Sequence, residues 1–359
     1  MRIIVGLSFG GKKLLVGLDI GSSSVKVCEL SRKGGGVKLV KLGAVPLPHD
    51  TIVDGDIMDS NAVVSAIRQS LAEQKIKTRE VAISVSGQQV IVKKVTLQSM
   101  SHSELLESVR WEAESFFPPG QGLDSYLLDY AILEEHRNEG TMDILLAACR
   151  KDKIESYISC VGQAGLKPAL VDLDLFAVQN AFEVSRPIGG GDEVVALVNI
   201  GAAFTNLGML VGSKAVFWRD LAFGGNKYTS KIMEDLGVSR EGAEELKKGA
   251  AAEDRQPQEV EPSLSAVSDS FAGELSRNTE FIRANFKIDH IDRIVLSGGG
   301  SKIPGLAGVL RDRFRITVEP FDPFGQIERD GGAADSAASD IGCAASVAVG
   351  LALREAGGR

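Results

Sequence analysis

Two stretches of the chain share one pattern of apolar and polar positions. Residues 14–27 and 194–207 each begin with a run of apolar residues, reach Asp-Ile-Gly or Asn-Ile-Gly, and continue with small residues and alternating side chains. This pattern predicts a buried strand, a glycine-permitted turn and a returning strand. Because the two hairpins lie 180 residues apart, the pattern indicates a duplicated domain.

The glycine turns are the first candidates for ligand binding. A glycine lets backbone N–H groups come close to an anion, and hydroxyl side chains beside it add further donors. One such turn is a weak indication, because glycine turns are common in all proteins. Two hairpins facing each other across a cleft would hold a polyphosphate from both sides, so the pair predicts a phosphate site.

A third glycine element lies at residues 294–306. A short β-branched strand runs into Gly298-Gly299-Gly300, and Pro304 starts a helix after it. A flexible linker is the alternative interpretation, but linkers are not normally flanked by a buried strand and an amphipathic helix. We therefore expect a binding loop whose backbone lies flat against a planar base and its ribose.

The remaining periodicity extends the fold. The first predicted elements are three strands, a helix with one apolar face and a fourth strand, which is the start of a ribonuclease-H-like α/β domain. Residues 88–164 look like an insertion with its own small core. A glycine hinge at 189–191 precedes a second lobe that repeats the plan, and one final helix is expected over 337–355.

We therefore expect an α/β protein of two lobes, each a ribonuclease-H-like domain, with a small α+β subdomain inserted in the first. A chain of 359 residues exceeds the size at which one core usually stops growing, which also favours two lobes. The expected segments are an N-terminal extension (1–12), the first-lobe core (13–87 and 165–190), the inserted subdomain (88–164), the second-lobe core (191–223 and 289–336), a helical subdomain (224–288) and a C-terminal helix returning to the first lobe (337–359).

Composition excludes several classes of function. The formal charge of −8 and the lack of a basic stripe argue against binding to a nucleic-acid backbone. The four cysteines have no metal-ligand spacing and the four histidines form no cluster in the sequence, which disfavours a metal centre or a Ser-His site. No apolar stretch reaches the length of a membrane span, so we expect a cytoplasmic protein that would associate with a membrane only through a partner.

Six short motifs accompany the hairpins and the glycine loop. They are Leu18–Lys26, Ala82–Gly87, Arg110–Pro118, Asp172–Asp174, Phe223–Asn226 and Glu241–Lys247. With these motifs the chain resembles the actin, hexokinase and heat-shock-chaperone ATPase superfamily. Within it the chain is identified as a member of the PilM family, cytoplasmic actin-like proteins of type IV pilus assembly that are similar to the division protein FtsA. The likeness runs from about residue 12 to the C-terminus and implies a two-lobed actin-like ATPase fold.

The resemblance implies a site for ATP and Mg²⁺. Asp19 would hold waters around the metal, and Lys26 would reach the phosphates as a point charge. Asp174 would be the catalytic residue that orients the attacking water. Glu244 and Lys247, one turn apart on a helix, would reach the ribose and the base edge. The implied nucleotide-binding residues are Asp19, Gly21, Ser22, Ser23, Ser24, Lys26, Asn199, Gly201, Ala202, Thr205, Gly225, Glu244, Lys247, Gly298, Gly299, Gly300 and Ile303.

Asn199 departs from the pattern that the resemblance implies, since many members carry aspartate at this position of the second hairpin. An amide keeps hydrogen bonding but lacks the negative charge that would hold hydrated Mg²⁺ or help to activate water. Asn199 would thus be a weaker contact than Asp19 to the waters of the metal. We expect nucleotide binding with slow hydrolysis at best.

The resemblance also implies partners. The inserted subdomain would bind the cytoplasmic N-terminal tail of PilN, an inner-membrane protein, and couple it to the pilus motor. Nucleotide would close the lobes and thereby alter the groove of the insertion. Pilus motor ATPases, the inner-membrane platform protein and weak self-association complete the expected contacts. The apolar residues expected at the partner surface are Phe116, Phe117, Tyr126 and Leu128.

Two other functions stay open from the sequence. A small-molecule or acyl kinase of the same superfamily would need a dedicated carboxylate base, and no second acid near the first hairpin clearly serves as one. A filament-forming ATPase similar to FtsA is the other alternative, because nothing in a single sequence decides polymerisation.

Overall fold

The computed structural model describes residues 14–117, 122–186, 192–212, 214–286 and 288–355. The chain divides into two compact units. Unit 1 holds the described residues up to Ser185, Phe324–Asp340 and those from Val347 onward, and unit 2 holds Arg186–Pro323 and Ile341–Ser346. The expected N-terminal extension and the expected hinge lie outside the described residues.

Unit 1 is built on a five-stranded sheet with the order β3-β2-β1-β6-β10, in which β1 is antiparallel to β2 and parallel to β6. This is the predicted ribonuclease-H-like arrangement. Its elements are β1 (Val16–Ile20), β2 (Ser24–Lys33), β3 (Gly36–Pro46), β4 (Ile52–Val53), β5 (Asp56–Ile57), α1 (Ser60–Glu73), β6 (Glu80–Val85), β7 (Val90–Gln98), α2 (His102–Glu114), β8 (Tyr126–His136), β9 (Thr141–Arg150), α3 (Lys151–Gln163), β10 (Lys167–Leu173) and α4 (Asp174–Ser185).

The insertion has a sheet of its own, antiparallel with the order β7-β9-β8. Helix α2 covers it, and Leu105 and Val109 of the helix pack with Ile144 and Leu146 of β9. The helix begins at a capping box, because the backbone N–H of Ser101 donates to Glu104 while the Ser101 hydroxyl accepts in return. Helix α3 was expected in the insertion as well, but it packs against α1 and β10 of the main sheet.

Unit 2 repeats the plan with a sheet of the order β13-β12-β11-β14-β15. The inward faces of its strands and helices form one core that includes Phe271, Leu275 and Ile282 at helical spacing on α7. Its elements are β11 (Val194–Ile200), β12 (Thr205–Val211), β13 (Lys214–Leu221), α5 (Gly225–Leu236), α6 (Arg240–Lys247), α7 (Glu261–Phe286), β14 (Arg293–Ser297), α8 (Leu306–Phe314) and β15 (Thr317–Pro320).

The C-terminal segment differs from the single helix predicted for it. Helix α9 (Ala333–Ile341) ends in a short 3₁₀ turn, and α10 (Ser346–Ala352) follows. The turn is part of unit 2, where the Cys343 carbonyl accepts from the Gly298 N–H and the Ser346 hydroxyl accepts from the Ser297 hydroxyl. The return to unit 1 also begins earlier than expected, since the chain pairs with β3 through Glu328.

Candidate functional site

The turn between β1 and β2 carries a close ion pair. Asp19 and Lys26 lie opposite each other in the strand register, and Nζ of Lys26 is 3.0 Å from Oδ2 of Asp19. Both side chains are largely buried, with 8% and 13% of their surfaces exposed. One of the three ammonium donors goes to Asp19, so a cation and a carboxylate stand together beside the glycine turn, a combination that suits a phosphate with a hydrated metal ion.

The backbone of this turn is held by two hydrogen bonds. Gly21 N–H donates to the Ser24 carbonyl at 3.1 Å, and Leu47 N–H donates to the Ser23 carbonyl at 2.9 Å, which ties the turn to the end of β3. Ser23 is exposed, while Ser22 and Ser24 are half-buried. The three serines therefore lie on a rigid and accessible turn.

The turn between β11 and β12 has the same backbone but a different charge. Gly201 N–H donates to the Phe204 carbonyl at 2.8 Å, as Gly21 does to Ser24. Asn199 occupies the position of Asp19 and donates from Nδ2 to Oδ1 of Asn206 at 2.7 Å. A neutral amide pair thus replaces the ion pair of unit 1.

Thr205 is fully buried, and its hydroxyl donates to the Phe223 carbonyl at 2.7 Å. That hydroxyl therefore holds the start of β12 against the β13–α5 connection and is not the ligand donor that the sequence suggested. Ala202 accepts from Asn226 N–H at 2.8 Å, so its carbonyl also serves the packing of α5.

The start of α5 and the end of α6 meet the second turn. Gly225 N–H donates to the Gly201 carbonyl at 2.9 Å. Lys247 Nζ contacts Gly225 O at 3.3 Å, Thr229 Oγ1 at 2.7 Å and Glu244 Oε1 at 2.7 Å. Burial alone would raise the pKa of Glu244, but the Lys247 ammonium and the hydrogen bonds from Lys247 and Thr229 lower it overall. The structure thus brings together four predicted nucleotide-binding residues from separate segments, which are Gly201, Gly225, Glu244 and Lys247.

The glycine loop after β14 also lies against this turn. The expected role of its glycines was to lie against a base and ribose, but two of them are needed for packing. A Cβ atom added to Gly298 or Gly300 would overlap Ile200 at the end of β11. These two glycines are therefore needed for close packing of the loop on the sheet, whereas Gly299 is exposed. The side chain of Ile303 is buried in the core of unit 2, which leaves Gly299 as the most accessible predicted residue of the loop.

The two acids of the Asp172–Asp174 motif have different surroundings. Asp172 is completely buried and pairs with Arg354, whose Nε and terminal nitrogen lie 2.7 and 2.5 Å from Oδ2. Asp174 is half-buried at the first position of α4. Burial raises the pKa of Tyr157, and the charges of Asp174, Asp56 and Asp19 raise it further.

A pocket of about 220 Å³ lies where the insertion joins the main sheet of unit 1. Lys153 is the notable lining residue, because its Nζ is buried and has no hydrogen-bond partner among the described residues. The nearest carboxylate oxygen, Oδ1 of Asp56, is 3.7 Å away. Tyr157 donates its hydroxyl to Gly55 O at 3.0 Å and closes one wall. The pocket is lined by Asp56, Ile57, Gln89, Arg150, Asp152, Lys153, Ser156 and Tyr157.

Sequence reasoning missed this pocket. A lysine near the start of an amphipathic helix is usually solvated, and only the packing of α3 on the main sheet buries Lys153. The sequence signal for the pocket is the glycine at position 55. In the structure Gly55 has a φ of +82°, and its lack of a Cβ atom leaves room for the Lys153 side chain.

The four apolar residues predicted for partner binding lie mostly inside the insertion. Tyr126 is buried and stacks on Phe117 with ring centroids 4.3 Å apart. Phe116 and Leu128 pack against the small core under α2. These side chains stabilise the insertion and offer little exposed surface to a partner. The large exposed apolar side chains of the insertion are instead Leu106, Trp111, Ile132 and Leu133.

The donors suit a metal that arrives with a nucleotide. Among the described residues no group of three or more histidine, cysteine or acidic side chains could hold an ion unaided. Mg²⁺ prefers to keep several waters and to be held by one or two carboxylates together with phosphates. The Asp19 carboxylate and the Asn199 amide oxygen fit contacts of that kind.

A model of the family "Type IV pilus assembly protein PilM" matches residues 17–356. The chain belongs to this family. Among solved structures it is similar to that of a PilM–PilN type IV pilus biogenesis complex, with a TM-score of 0.85 and 29% identity over 95% of this chain and 98% of the other. None of the described helices is long and apolar enough to span a membrane, so this PilM-family chain shows no spanning helix within those residues.

More distant relatives confirm the actin-like fold. FtsA of Bacillus subtilis is 22% identical over an alignment of 352 positions that covers 87% of this chain and 79% of that protein. The structure of MreB5 of Spiroplasma citri bound to AMPPNP has a TM-score of 0.52 and 13% identity, with 95% of each chain covered. The two-lobed α/β fold predicted from the sequence is thus confirmed.

Proposed function

We propose that this PilM-family chain is an ATP-binding scaffold of type IV pilus assembly that binds the cytoplasmic N-terminal tail of PilN. The Asp19–Lys26 pair on the serine turn is the observation that carries nucleotide binding. It combines an ammonium for the phosphates with a carboxylate for the waters of Mg²⁺. The MreB5 structure, with its bound nucleotide analogue, supports the same use of this fold.

In this proposal each unit supplies its own contacts. Unit 1 offers the turn of Gly21 and the three serines to the phosphates. Unit 2 offers Gly299 of the glycine loop, and the Glu244–Lys247 pair, which is held at Gly225, for the ribose and base edge. Bound Mg²⁺ would offset the negative charge of the phosphates.

Slow or negligible hydrolysis follows from the second turn. Asn199 cannot remove a proton from water, because an amide is not a base at neutral pH. The half-buried Asp174 at the start of α4 is left as the residue that could orient a water. The chain would then work mainly as a nucleotide-dependent binding protein.

We infer that the PilN tail binds at the pocket between the insertion and the main sheet of unit 1. The Nζ of Lys153 supports this site, because it has no hydrogen-bond acceptor in the part of the chain that the structure describes, and a peptide oxygen would satisfy this buried donor. Met58, which is 68% exposed and follows the lining residue Ile57, offers apolar surface beside the pocket. Binding of this tail would recruit the chain to the inner membrane and couple it to the pilus motor.

Calorimetric titration tests both parts of the proposal. Wild-type protein should bind Mg-ATP, and it should bind a synthetic peptide of the PilN tail. Replacing Lys153 with Met should weaken the peptide about tenfold or more, the cost of a lost charge-assisted hydrogen bond. Lys151→Met is the matched control on the same helix and outside the pocket lining. Equal peptide affinity of the two variants would reject the pocket, and failure of wild type to bind Mg-ATP would reject nucleotide binding.

A further inference from the structure

Three polar side chains form a continuous hydrogen-bonded chain across unit 2. Asn199 of β11 lies opposite Asn206 of β12, and Asn206 lies opposite Asp220 of β13. Asn199 Nδ2 donates to Asn206 Oδ1 at 2.7 Å, and Asn206 Nδ2 donates to Asp220 Oδ1 at 2.7 Å. Asn199 and Asn206 are 6% and 3% exposed, so the bond between them is buried, while Asp220 is half-buried.

The Asp220 carboxylate ends this series of hydrogen bonds and fixes which atom donates and which accepts in each of them. A carboxylate only accepts hydrogen bonds, so Asn206 must turn its Nδ2 towards Asp220 and its Oδ1 towards Asn199. That Oδ1 also only accepts, and Asn199 must therefore donate from Nδ2. The Oδ1 atom of Asn199 is then the one left for a ligand. The two amide orientations follow from the hydrogen-bond network, which is how such orientations are assigned.

An open acceptor and an open donor select different ligands. An amide N–H₂ would bind a phosphate oxygen directly, whereas an amide oxygen is repelled by that oxygen and accepts instead from a hydroxyl or from water held by a metal ion. We propose that Asp220, acting through Asn206, is a positioning residue that keeps Asn199 as an acceptor toward the waters of nucleotide-bound Mg²⁺. This inference rests on the proposed nucleotide binding and defines how the second turn takes part in it.

Unit 1 contains no matching relay at its equivalent turn. There Asp19 carries the charge itself, and Ala44 lies on β3 opposite its partner Lys26. In unit 2 the Asp220 carboxylate lies two strands away from Asn199. It orients the two amides but places no full charge at the turn. Asn199 therefore keeps the hydrogen-bonding polarity of an aspartate oxygen without its basicity.

The dependence of ATP affinity on Mg²⁺ tests the inference. We define the metal ratio as the Kd for ATP in EDTA divided by the Kd in excess Mg²⁺, measured by calorimetry. Replacing Asp220 with Asn allows the relay to reverse, and we expect the ratio to fall about three- to tenfold, the weight of one oriented hydrogen bond. Affinity in EDTA should be unchanged or higher, because the reversed amide offers a donor to the phosphates.

Two matched variants separate positioning from general damage. Asp235→Asn makes the same charge change on α5 of unit 2, where Asp235 pairs with Lys231 and Ser263, and should leave the ratio at its wild-type value. In an Asn199→Asp background the side chain presents an acceptor in either orientation, so adding Asp220→Asn should no longer lower the ratio. Should Asp220→Asn lack a cooperative thermal melt, Asn206→Ser breaks the same link and should give the same fall.

The outcomes distinguish this inference from the function on which it rests. If wild-type protein binds no ATP with or without Mg²⁺, the proposed nucleotide binding fails. If wild-type protein binds ATP but Asp220→Asn and Asp235→Asn have the same metal ratio, the positioning role of Asp220 is overturned. An equal fall in the Asn199→Asp background would also overturn it, because the effect would then not pass through the Asn199 amide.

Discussion

At the scale of single residues, the two glycine turns use one backbone for different electrostatic tasks. Asp19 and Lys26 pair as ions in unit 1, and Asn199 and Asn206 pair as amides at the same register positions in unit 2. An ion pair holds charge ready for a phosphate and its metal, whereas an amide pair only orients donors and acceptors. The asymmetry explains why phosphate affinity should depend mainly on unit 1.

Replacing Lys26 with Met should lower Mg-ATP affinity at least about tenfold, because a buried cation at the proposed phosphate site is lost. Calorimetry with Mg-ATP is the measurement. Lys33→Met on the same strand is the control, since Lys33 makes an exposed ion pair with Glu328. Similar ATP affinity of the two variants would remove Lys26 from the site.

Asp143 in the insertion illustrates a residue whose charge stabilises the fold. Burial alone would raise the pKa of Asp143, but hydrogen bonds from Lys94, Thr96 and His136 lower it from 3.8 to about 2. A carboxyl with a lowered pKa stabilises the folded state above its unfolded pKa, and that contribution disappears as the pH falls through the folded value. The window in which stability is lost is therefore about pH 4 to pH 2.

Replacing Asp143 with Asn should lower the free energy of unfolding by about 2 kcal/mol at pH 6, the worth of a shift of this size. Urea unfolding followed by circular dichroism at several pH values measures it. The difference from wild type should shrink as the pH falls towards 2, because the native carboxyl then becomes protonated and loses this stabilisation. Glu135→Gln, an exposed change on the neighbouring strand, should cost little at any pH.

At the scale of elements, close packing of α10 on α4 depends on the absence of one side chain. A Cβ atom added at Gly350 would overlap the carbonyl oxygen of Ala177. The backbone of Ala177 cannot shift without a large cost in packing energy, because this residue lies within the buried helix α4. The helix pair therefore sets the place where the C-terminal segment returns to unit 1.

Replacing Gly350 with Ala should destabilise unit 1 by about 1–3 kcal/mol or more, the usual cost of overpacking. Gly162 of α3 is the matched helical control, because no atom lies within 4 Å of the Cβ that alanine would add there. Gly162→Ala should stabilise the protein by roughly 0.5–1 kcal/mol through helix propensity. Thermal melts of the two variants should shift in opposite directions, and a shift in the same direction would contradict this account.

At the scale of the whole molecule, Tyr157 connects the proposed nucleotide turn electrostatically with the proposed peptide pocket. Tyr157 lines the pocket, and its ionisation is opposed by the charges of Asp19 and Asp174. A ligand that changes the charge around Asp19 would therefore alter the electrostatic environment of Tyr157. We propose that this effect couples nucleotide binding to binding of the PilN tail.

We predict that Mg-ATP changes the affinity of the PilN-tail peptide about fivefold or more, the lower end of usual coupling energies. Asp19→Ala should abolish the effect of ATP while leaving peptide binding in its absence. Peptide titrations with and without Mg-ATP measure both quantities. The coupling is refuted if wild type and Asp19→Ala bind the peptide equally well in saturating Mg-ATP.

Much of the fold was predictable because its periodic signals are local. The two apolar runs ending in Ile-Gly predicted β1–β2 and β11–β12, and Asp59 before an apolar face predicted the start of α1. The end of the chain was predicted as one helix because its small apolar residues favour helix throughout. Bonds from Gly298 and Ser297 to residues far along the chain interrupt that helix, and no local pattern records them.

By itself the sequence determined the duplicated α/β architecture, the two glycine turns and the residue types they carry, since strand alternation and glycine turns depend on neighbours in the chain. Only the tertiary structure decided that the Thr205 hydroxyl bonds within the core, that Lys153 is buried with no hydrogen-bond acceptor among the described residues, and that Asp220 bonds to Asn199 through Asn206. Each of these depends on which side chains meet across strands and helices that are far apart in sequence. Burial and hydrogen-bond direction are properties of those meetings.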